Sequence, residues 1–376
     1  MMVALPLVTL PLGVSRDRME TTRRSSAVSV PTIVDVANLA GVAAITVSRV
    51  VNNSGPVSKQ VRVRVERAIA EIGYVPNSVA RSLRSKRTDT IALVVTDMTN
   101  PFFTTIARGV EDAASDAGLM LIICNTDERD ADEQRYVRML LQRRVDGILL
   151  VPAGTGAVAI KQAKEQRTPL VVVDRRLKHR VADVVRADSK AGAFQLGRLL
   201  VSLGHATTAV LSGPRTVSTA DDRVAGFRQA LAGRHGVAPP RVYWGANTIE
   251  SGREMARLAL AATPRPTALF ATNNFIAIGV LQALDAMNVR VPEDVAVVGF
   301  DDLPPAMVTF PFLTVAAQPA YEMGQRSVQM LLDRVAAGPN EEFHELILPT
   351  QLVIRRSSGD GFPRKPTNVT PALAGV

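Results

Sequence analysis

Residues 32–88 read TIVDVANLAGVAAITVSRVVNNSGPVSKQVRVRVERAIAEIGYVPNSVARSLRSKRT. Thr32 with Asp35 three residues on is a helix-capping signal. Ile33, Val36, Ala37 and Ala40 then follow at the i, i+3, i+4, i+7 spacing of an amphipathic helix, which Gly41 ends. A second helix is expected from about Ala44 to Asn52, with Val47, Val50 and Val51 inward. The turn Asn53-Ser54-Gly55-Pro56 leads to Ser58 as the cap of a third helix. That helix turns Val61, Val65, Ala68, Ile69 and Ile72 inward and stops at Gly73. Three short helices with a glycine turn between the first two form a helix-turn-helix. Pro76 opens a basic segment, 76–86, too short to hold a helix alone in water.

Charge concentrates in the same part of the chain. Of a formal net charge of +9, residues 1–90 carry +7 and the remaining residues +2. A basic face on one small region is the electrostatic footprint of a polyanion binder, although basic tails are often merely solvated. The single Cys124 excludes a disulfide framework and suits a reducing cytoplasm. His179, His205, His235 and His344 lack metal-ligand spacing, so no metal and no cofactor is expected. At 376 residues the chain fits a small module followed by a larger one. Residues 1–30 are apolar at first but are broken by two prolines and have no basic start. They read as a disordered extension rather than an export signal, with Met19 as an alternative start. No apolar run is long enough to span a membrane.

After Asp89 the rhythm becomes alternating apolar strands and helical stretches. Strands are expected at 91–95, 119–123, 147–151, 170–173, 184–186, 208–211, 268–271, 295–299 and 352–354. Continuous apolar strands with helices between them argue for parallel sheets covered on both faces. This much alternation exceeds one core, so two doubly wound lobes are expected over 87–356. Residues 357–376 read as a loose tail without an apolar heptad, which favours a dimer over a tetramer.

Ala44, Ile45, Ser48, Arg49 and Asn52 share one face of the second helix. Such side chains reach base edges and phosphates in a major groove, though an ordinary surface helix carries the same pattern. The stretch closely resembles the headpiece and hinge of the lactose/galactose-repressor family, and the resemblance continues to about Arg356. It implies a homodimer on a pseudo-palindromic, double-stranded operator. DNA contacts would come from Thr32, Ala44, Ile45, Thr46, Ser48, Arg49, Asn52, Tyr74, Asn77, Ala80 and Leu83. Residues 76–86 would become helical on DNA, with paired Leu83 side chains wedged into the minor groove. Ala43 departs from the Ser usual in relatives and forfeits a cap worth about 1 kcal/mol. Ala44 and Ile45 offer only apolar contact where relatives often carry polar groups, so the usual operator does not transfer unaltered.

In the larger module, Asn100-Pro101-Phe102-Phe103, Asp174-Arg175, Asn273 and Asp301-Asp302 follow strands. A doubly wound sheet places its ligands at such carboxyl ends. Any one of them is by default a solvated loop residue, but several at equivalent positions form a pattern. Carboxylate, guanidinium and amide groups grip neighbouring hydroxyls, while Phe faces cover C–H surfaces, a mixture suited to a sugar. The resemblance implies a periplasmic-binding-protein-like core that closes by hinge motion. Its effector contacts would be Asn100, Phe102, Phe103, Asp174, Arg175, Arg223, Asn273, Asp301 and Gln318, nearest to ribose-type members. Asn247 stands where relatives often place an aromatic, with Tyr243 and Trp244 as possible substitutes. Arg223 and Asp301 are expected to touch ligand without holding the core together.

No nucleophile elbow, phosphate loop or complete dinucleotide fingerprint is present, so an enzyme is not expected. A sugar-binding transport protein is the competing reading, disfavoured by the headpiece and the missing export signal. The expected protein is a cytoplasmic transcriptional regulator, read as a repressor. Ligand would shift its lobes and hinges, and an inducer and a corepressor would act with opposite sign.

Overall fold

In the computed structural model, residues 30–76, 87–303, 312–338 and 342–360 are described. The chain divides into two units, residues 1–81 and 82–376. Within the first unit, helices α1 (Ile33–Ala40), α2 (Ala44–Val51) and α3 (Lys59–Ile72) pack around Val36, Ala37, Ala40, Val47, Val50, Val65 and Ala68. Thr32 and Asp35 close a full capping box on α1, and Gly41 and Gly73 end α1 and α3 in the left-handed conformation. The amphipathic spacing and the glycine stops therefore produce the expected elements. The expected extension up to residue 29, the alternative start at Met19 and the hinge positions Asn77, Ala80 and Leu83 lie outside the described residues.

In the second unit two six-stranded sheets form two lobes. The first has the order β11-β5-β4-β3-β1-β2, all parallel, and the second β12-β10-β9-β8-β6-β7. The first lobe holds β1 (Thr90–Val95), β2 (Met120–Asn125), β3 (Gly147–Leu150), β4 (Leu170–Val173), β5 (Asp183–Ala187) and β11 (Glu345–Leu348). The second holds β6 (Thr208–Ser212), β7 (Arg241–Trp244), β8 (Ala268–Ala271), β9 (Ala296–Phe300), β10 (Thr314–Ala317) and β12 (Gln351–Val353). Helices α4 (Pro101–Asp116) and α11 (Ala320–Ala337) cover one face of the first sheet, and α5 (Asp130–Gln142) and α6 (Ala157–Glu165) the other. Helices α7 (Ser189–Ser202) and α8 (Ser218–Leu231) cover one face of the second sheet, and α9 (Ile249–Leu260) and α10 (Asn274–Ala286) the other. Such two-sided cover explains why the central strands are continuous apolar runs. Helix pairs close tightly through glycine: a Cβ on Gly109 would lie 2.1 Å from the Tyr321 carbonyl oxygen.

The chain crosses between lobes three times, after β5, after β10 and after β11. All three crossings lie at the same end of both sheets. They also explain one departure from the expected parallel pattern, since β12 pairs antiparallel with β10. Strands entering the interface from either lobe run toward it. A strand leaving the first lobe and re-entering the second must run away from it.

Three strands fall outside the expected set. The edge strands β7 and β11 are half-exposed, and the four-residue β10, Thr-Val-Ala-Ala, has weak strand propensity. The tail expected from Ser357 starts too early. Arg356–Ser358 is a 3-10 turn whose Ser357 and Ser358 are fully buried. Ser357 Oγ donates to the Val297 carbonyl at 2.7 Å and accepts from Thr314 N–H at 2.7 Å, tying the turn to the second sheet.

Candidate functional site

The cleft between the lobes is built at the carboxyl ends of the strands. Asp174 follows β4 and Asp301 follows β9, and both adopt left-handed backbone, with φ of 70° and 69°. Non-glycine residues in this region are uncommon and concentrate at sites where the surroundings impose the geometry. Both carboxylates are buried, as are Arg175 and Arg223.

Arg223, on α8, anchors the second lobe's side of the cleft. Its Nη1 donates to the Thr272 carbonyl at 2.7 Å and lies 3.5 Å from Asp301 Oδ2. Its Nε donates to Ser189 Oγ at 3.4 Å, and its guanidinium stacks 3.9 Å from the Phe300 ring centre. Gln318, on the crossover after β10, donates from Nε2 to Asp301 Oδ1 at 2.5 Å. Contrary to the expectation that neither side chain holds the core together, both are engaged in it. They form a buried ion pair that ties α8 to the ends of β8 and β9.

Arg175 anchors the first lobe's side. Its side chain crosses the strand ends, donating to the carbonyls of Pro152 and Ala153 and to Glu128 Oε1 at 2.6 Å. The Ala153 N–H in turn donates to buried Glu133 Oε2 at 2.6 Å. Burial pushes the Glu133 carboxyl upward despite that bond. Burial likewise pushes Asp174 up to about 6, partly opposed by Arg223 and Arg175 and reinforced by Asp301 and Glu128. Asp301 is also raised by burial, with Arg223 and Gln318 opposing.

Four buried polar atoms around this cleft have no protein partner: Thr96 Oγ1, Asp174 Oδ1, Arg175 Nε and Gln318 Oε1. Each such atom costs about 1–3 kcal/mol when left unpaired, a cost that a polar molecule bonded to it would relieve. Thr96 was not among the expected contacts. As the polar residue ending the apolar β1 run, it obeys the same strand-end rule as Asp174. Glu128 and Glu133 sit in a run of charged residues with no signal of their own.

The other expected contacts take varied positions. Phe102 and Phe103 pack edge-on, 5.1 Å apart, mostly within the first lobe's core. Asn273 caps α10, its Oδ1 accepting from Ile276 N–H at 2.7 Å. Asn100 caps α4 and pairs across the cleft with Asn274. Asn247 is half-buried against Gly213, where a Cβ would lie 1.9 Å from its Oδ1. Tyr243 and Trp244 pack on opposite faces of the second sheet, and the Arg215 guanidinium covers the Trp244 ring at 5.0 Å.

In the headpiece, Ile45 is 57% exposed, and Arg49 and Asn52 are exposed beside it. Ser48 is instead buried, accepting at Oγ from Asn52 Nδ2 at 3.2 Å, because it turns toward the helix packing rather than outward. Ala44, Thr46 and Tyr74 are half-buried, and Thr32 is exposed but engaged in its capping box. Ala43 caps α2 without a side-chain bond, as its missing hydroxyl requires.

Residues 32–77 match the family model of bacterial regulatory proteins of the lacI family. Residues 88–356 match that of periplasmic binding proteins and the sugar-binding domain of the LacI family. The chain belongs to the LacI family of DNA-binding transcriptional regulators. A ribose operon repressor of Halalkalibacterium halodurans is 35% identical over 330 residues, covering 88% of this chain and 98% of the relative. The regulator DegA of Bacillus subtilis is 34% identical over 332 residues, covering 87% and 98%. Among solved structures, a lac repressor dimer bound to operator and an anti-inducer is 28% identical with a TM-score of 0.79, covering 88% and 99%. A CelR–cellobiose complex is 34% identical with a TM-score of 0.66, covering 87% and 99%. Among the described residues no single helix is long and apolar enough to cross a membrane, and no cluster of metal-ligating side chains occurs.

Proposed function

We propose that the protein is a cytoplasmic, homodimeric repressor, without catalytic activity, whose operator affinity is set by a small sugar held between its lobes. The observation that carries the effector half is the set of four unpaired buried atoms at the strand ends. Asp174 and Gln318 offer acceptors, Arg175 a donor and Thr96 either. A sugar, whose hydroxyls both donate and accept, fits that mixture. Arg223 and Asp301, at the strand ends of the second lobe, are charged groups able to bond hydroxyls from that side. The DNA half rests on the exposed Ile45, Arg49 and Asn52 of α2 and on the basic balance of residues 1–90. Sugar would alter lobe closure and, through the hinge, DNA affinity. DNA must then alter sugar affinity by the same factor.

The test selects DNA from a random pool with the full chain, then titrates the winner at several salt concentrations with and without sugar. Retardation with a log–log salt slope of about −0.9 per phosphate neutralised is expected. It should be altered by one member of a panel of pentoses, hexoses and disaccharides. A flat salt dependence overturns the DNA half. In a thermal-shift screen of the same sugars together with nucleobases, a shift given only by nucleobases overturns the sugar half.

A further inference from the structure

We infer that Asn100 and Asn274 form an interlobe latch that sets cleft closure, and that Asn100 acts as a positioning residue rather than as an effector contact. Asn274 Nδ2 donates to Asn100 Oδ1 at 2.9 Å, and Asn100 Nδ2 donates back to Asn274 Oδ1 at 3.1 Å. Asn100 lies after β1 in the first lobe and Asn274 opens α10 in the second. Both amides are buried, at 7% and 1% exposure.

Each partner is held in place by its own backbone. Asn100 Oδ1 also accepts from Phe102 N–H at 3.0 Å, and Asn274 Oδ1 from Phe275 N–H at 2.8 Å. These bonds fix both amides and leave the reciprocal pair as the shared element between lobes. Being neutral, the pair avoids the large desolvation penalty of a buried ion pair.

Position gives the pair its leverage. The three crossovers lie at the β11-β5 end of one sheet and the β12-β10 end of the other. Asn100 follows β1, four strands in from β11, and Asn274 follows β8, three strands in from β12. A bond displaced from the hinge line opposes opening more effectively than one beside it. A second clasp joins the lobes through Arg176, which pairs with Asp222 at 3.1 Å and donates from its N–H to Ser218 Oγ at 2.9 Å. Arg176 is 38% exposed, so salt screens that clasp, whereas the amide pair is dry. The inference rests on the cleft being the effector site, but its principal readout needs no effector.

The experiment places spin labels on Lys161→Cys and Gln229→Cys, exposed residues in opposite lobes, in the full chain carrying Cys124→Ser. The labelled chain is diluted with unlabelled chain and interlobe distances are read by pulsed dipolar spectroscopy. Asn100→Asp and Asn274→Asp each keep one amide-to-carboxylate bond but set the other contact oxygen to oxygen and bury a charge, so each should open less than the double Asp variant. The double Asp variant has two facing carboxylates and no donor. It should show a longer, broader distribution and bind D-ribose at least tenfold more weakly if that sugar binds the parent. The Asn100→Ala/Asn274→Ala pair introduces no charge and should also lengthen the distance, which separates loss of the latch from misfolding. Parent-like distances in both double variants overturn the latch, as does a single Asp variant that opens as far as the double. Opening of the double variants with no sugar binding to any form upholds the latch and removes the sugar reading.

Discussion

Helix α2 and the cleft carry function in opposite ways. On α2 the side chains proposed to meet DNA, Ile45 and Arg49, face solvent, and the packing is done by their neighbours Val47 and Val50. In the cleft, Asp174, Arg175, Arg223 and Asp301 are all at 4–5% exposure, and the last three hold the strand ends in place themselves. On the proposed reading, recognition and folding are separable in the headpiece, whereas in the cleft residues such as Arg175 and Gln318 serve both through different atoms. A headpiece of this kind can change its DNA target at little structural cost. A cleft of this kind changes its ligand only by rebuilding a buried ionic network.

The largest effect that tests this contrast is Arg223→Ala. It strands the Asp301 carboxylate, whose 3.5 Å cationic partner is lost, in a buried site. Breaking a buried pair on one side costs about 3–5 kcal/mol, so urea unfolding of the core should show a loss of that order. Effector affinity should fall about a hundredfold or more, corresponding to about 3 kcal/mol. The counterpart is Arg49→Ala on the exposed face of α2. It should weaken operator binding by roughly tenfold or more, about 1–3 kcal/mol for a lost base or phosphate contact, with the melting temperature unchanged. The contrast breaks if Arg223→Ala unfolds like the parent or if Arg49→Ala unfolds earlier.

A smaller effect separates the regions by the sign of their pH dependence. Burial raises the Asp174 carboxyl to about 6 in the folded core. The folded state therefore binds the proton more readily than the unfolded chain, whose Asp titrates near 3.9. The stabilisation from Asp174 is fully present below about pH 4 and is lost as pH rises through 6. Between pH 5 and 7.5 the core should lose about 1.4 kcal/mol from this group. Asp174→Asn should remove that part of the slope, and an unaltered slope would discard the assignment. Asp35, in the headpiece capping box, has the opposite sign. Its hydrogen bonds from Thr32 hold the carboxyl below its ordinary range, so its contribution is lost only as pH falls through that lowered value.

The same contrast decides what could be read from the chain. The headpiece was legible because its determinants are local: Thr32 caps with Asp35, and Gly41 and Gly73 stop helices within their own turns. Ser48, expected to be exposed, lies at the edge of the packed stripe, where a small rotation decides between solvent and core. Strand-end positions such as Asp174 and Asp301 were legible because parallel sheets present their carboxyl ends to ligands. What those residues bond to was not. The Arg223–Asp301 pair joins residues far apart in sequence, and the Asn100–Asn274 pair spans 174 residues. Asn100, Phe102 and Phe103 adjoin one another in sequence, yet the first bridges the lobes while both rings lie largely in a core. Glu128 carries no periodic or motif signal, because its role exists only once Arg175 reaches across two strand ends to meet it.

The smallest predicted effect tests whether stability in the headpiece can be raised without touching the cleft. Ala43 has the extended backbone of a helix cap, with φ of −72° and ψ of 148°, but supplies no side-chain acceptor. Its backbone carbonyl already accepts from Thr46 N–H at 2.8 Å, so the helix start is formed and lacks only the hydroxyl. Ala43→Ser adds an oxygen placed to accept from the second or third backbone N–H of α2, a change worth about 1 kcal/mol. The headpiece should then melt later and its α2 amides exchange more slowly, while effector affinity and the core transition stay as in the parent. Operator affinity should hold or rise, because the added hydroxyl lies at a helix start, where phosphate oxygens are favoured by the helix dipole. A cap that adds no protection to α2 would show that its first turn is already held by tertiary packing alone. A cap that alters effector affinity would show that headpiece and cleft are coupled in the absence of DNA, and the separation between recognition and folding drawn for the headpiece would fail.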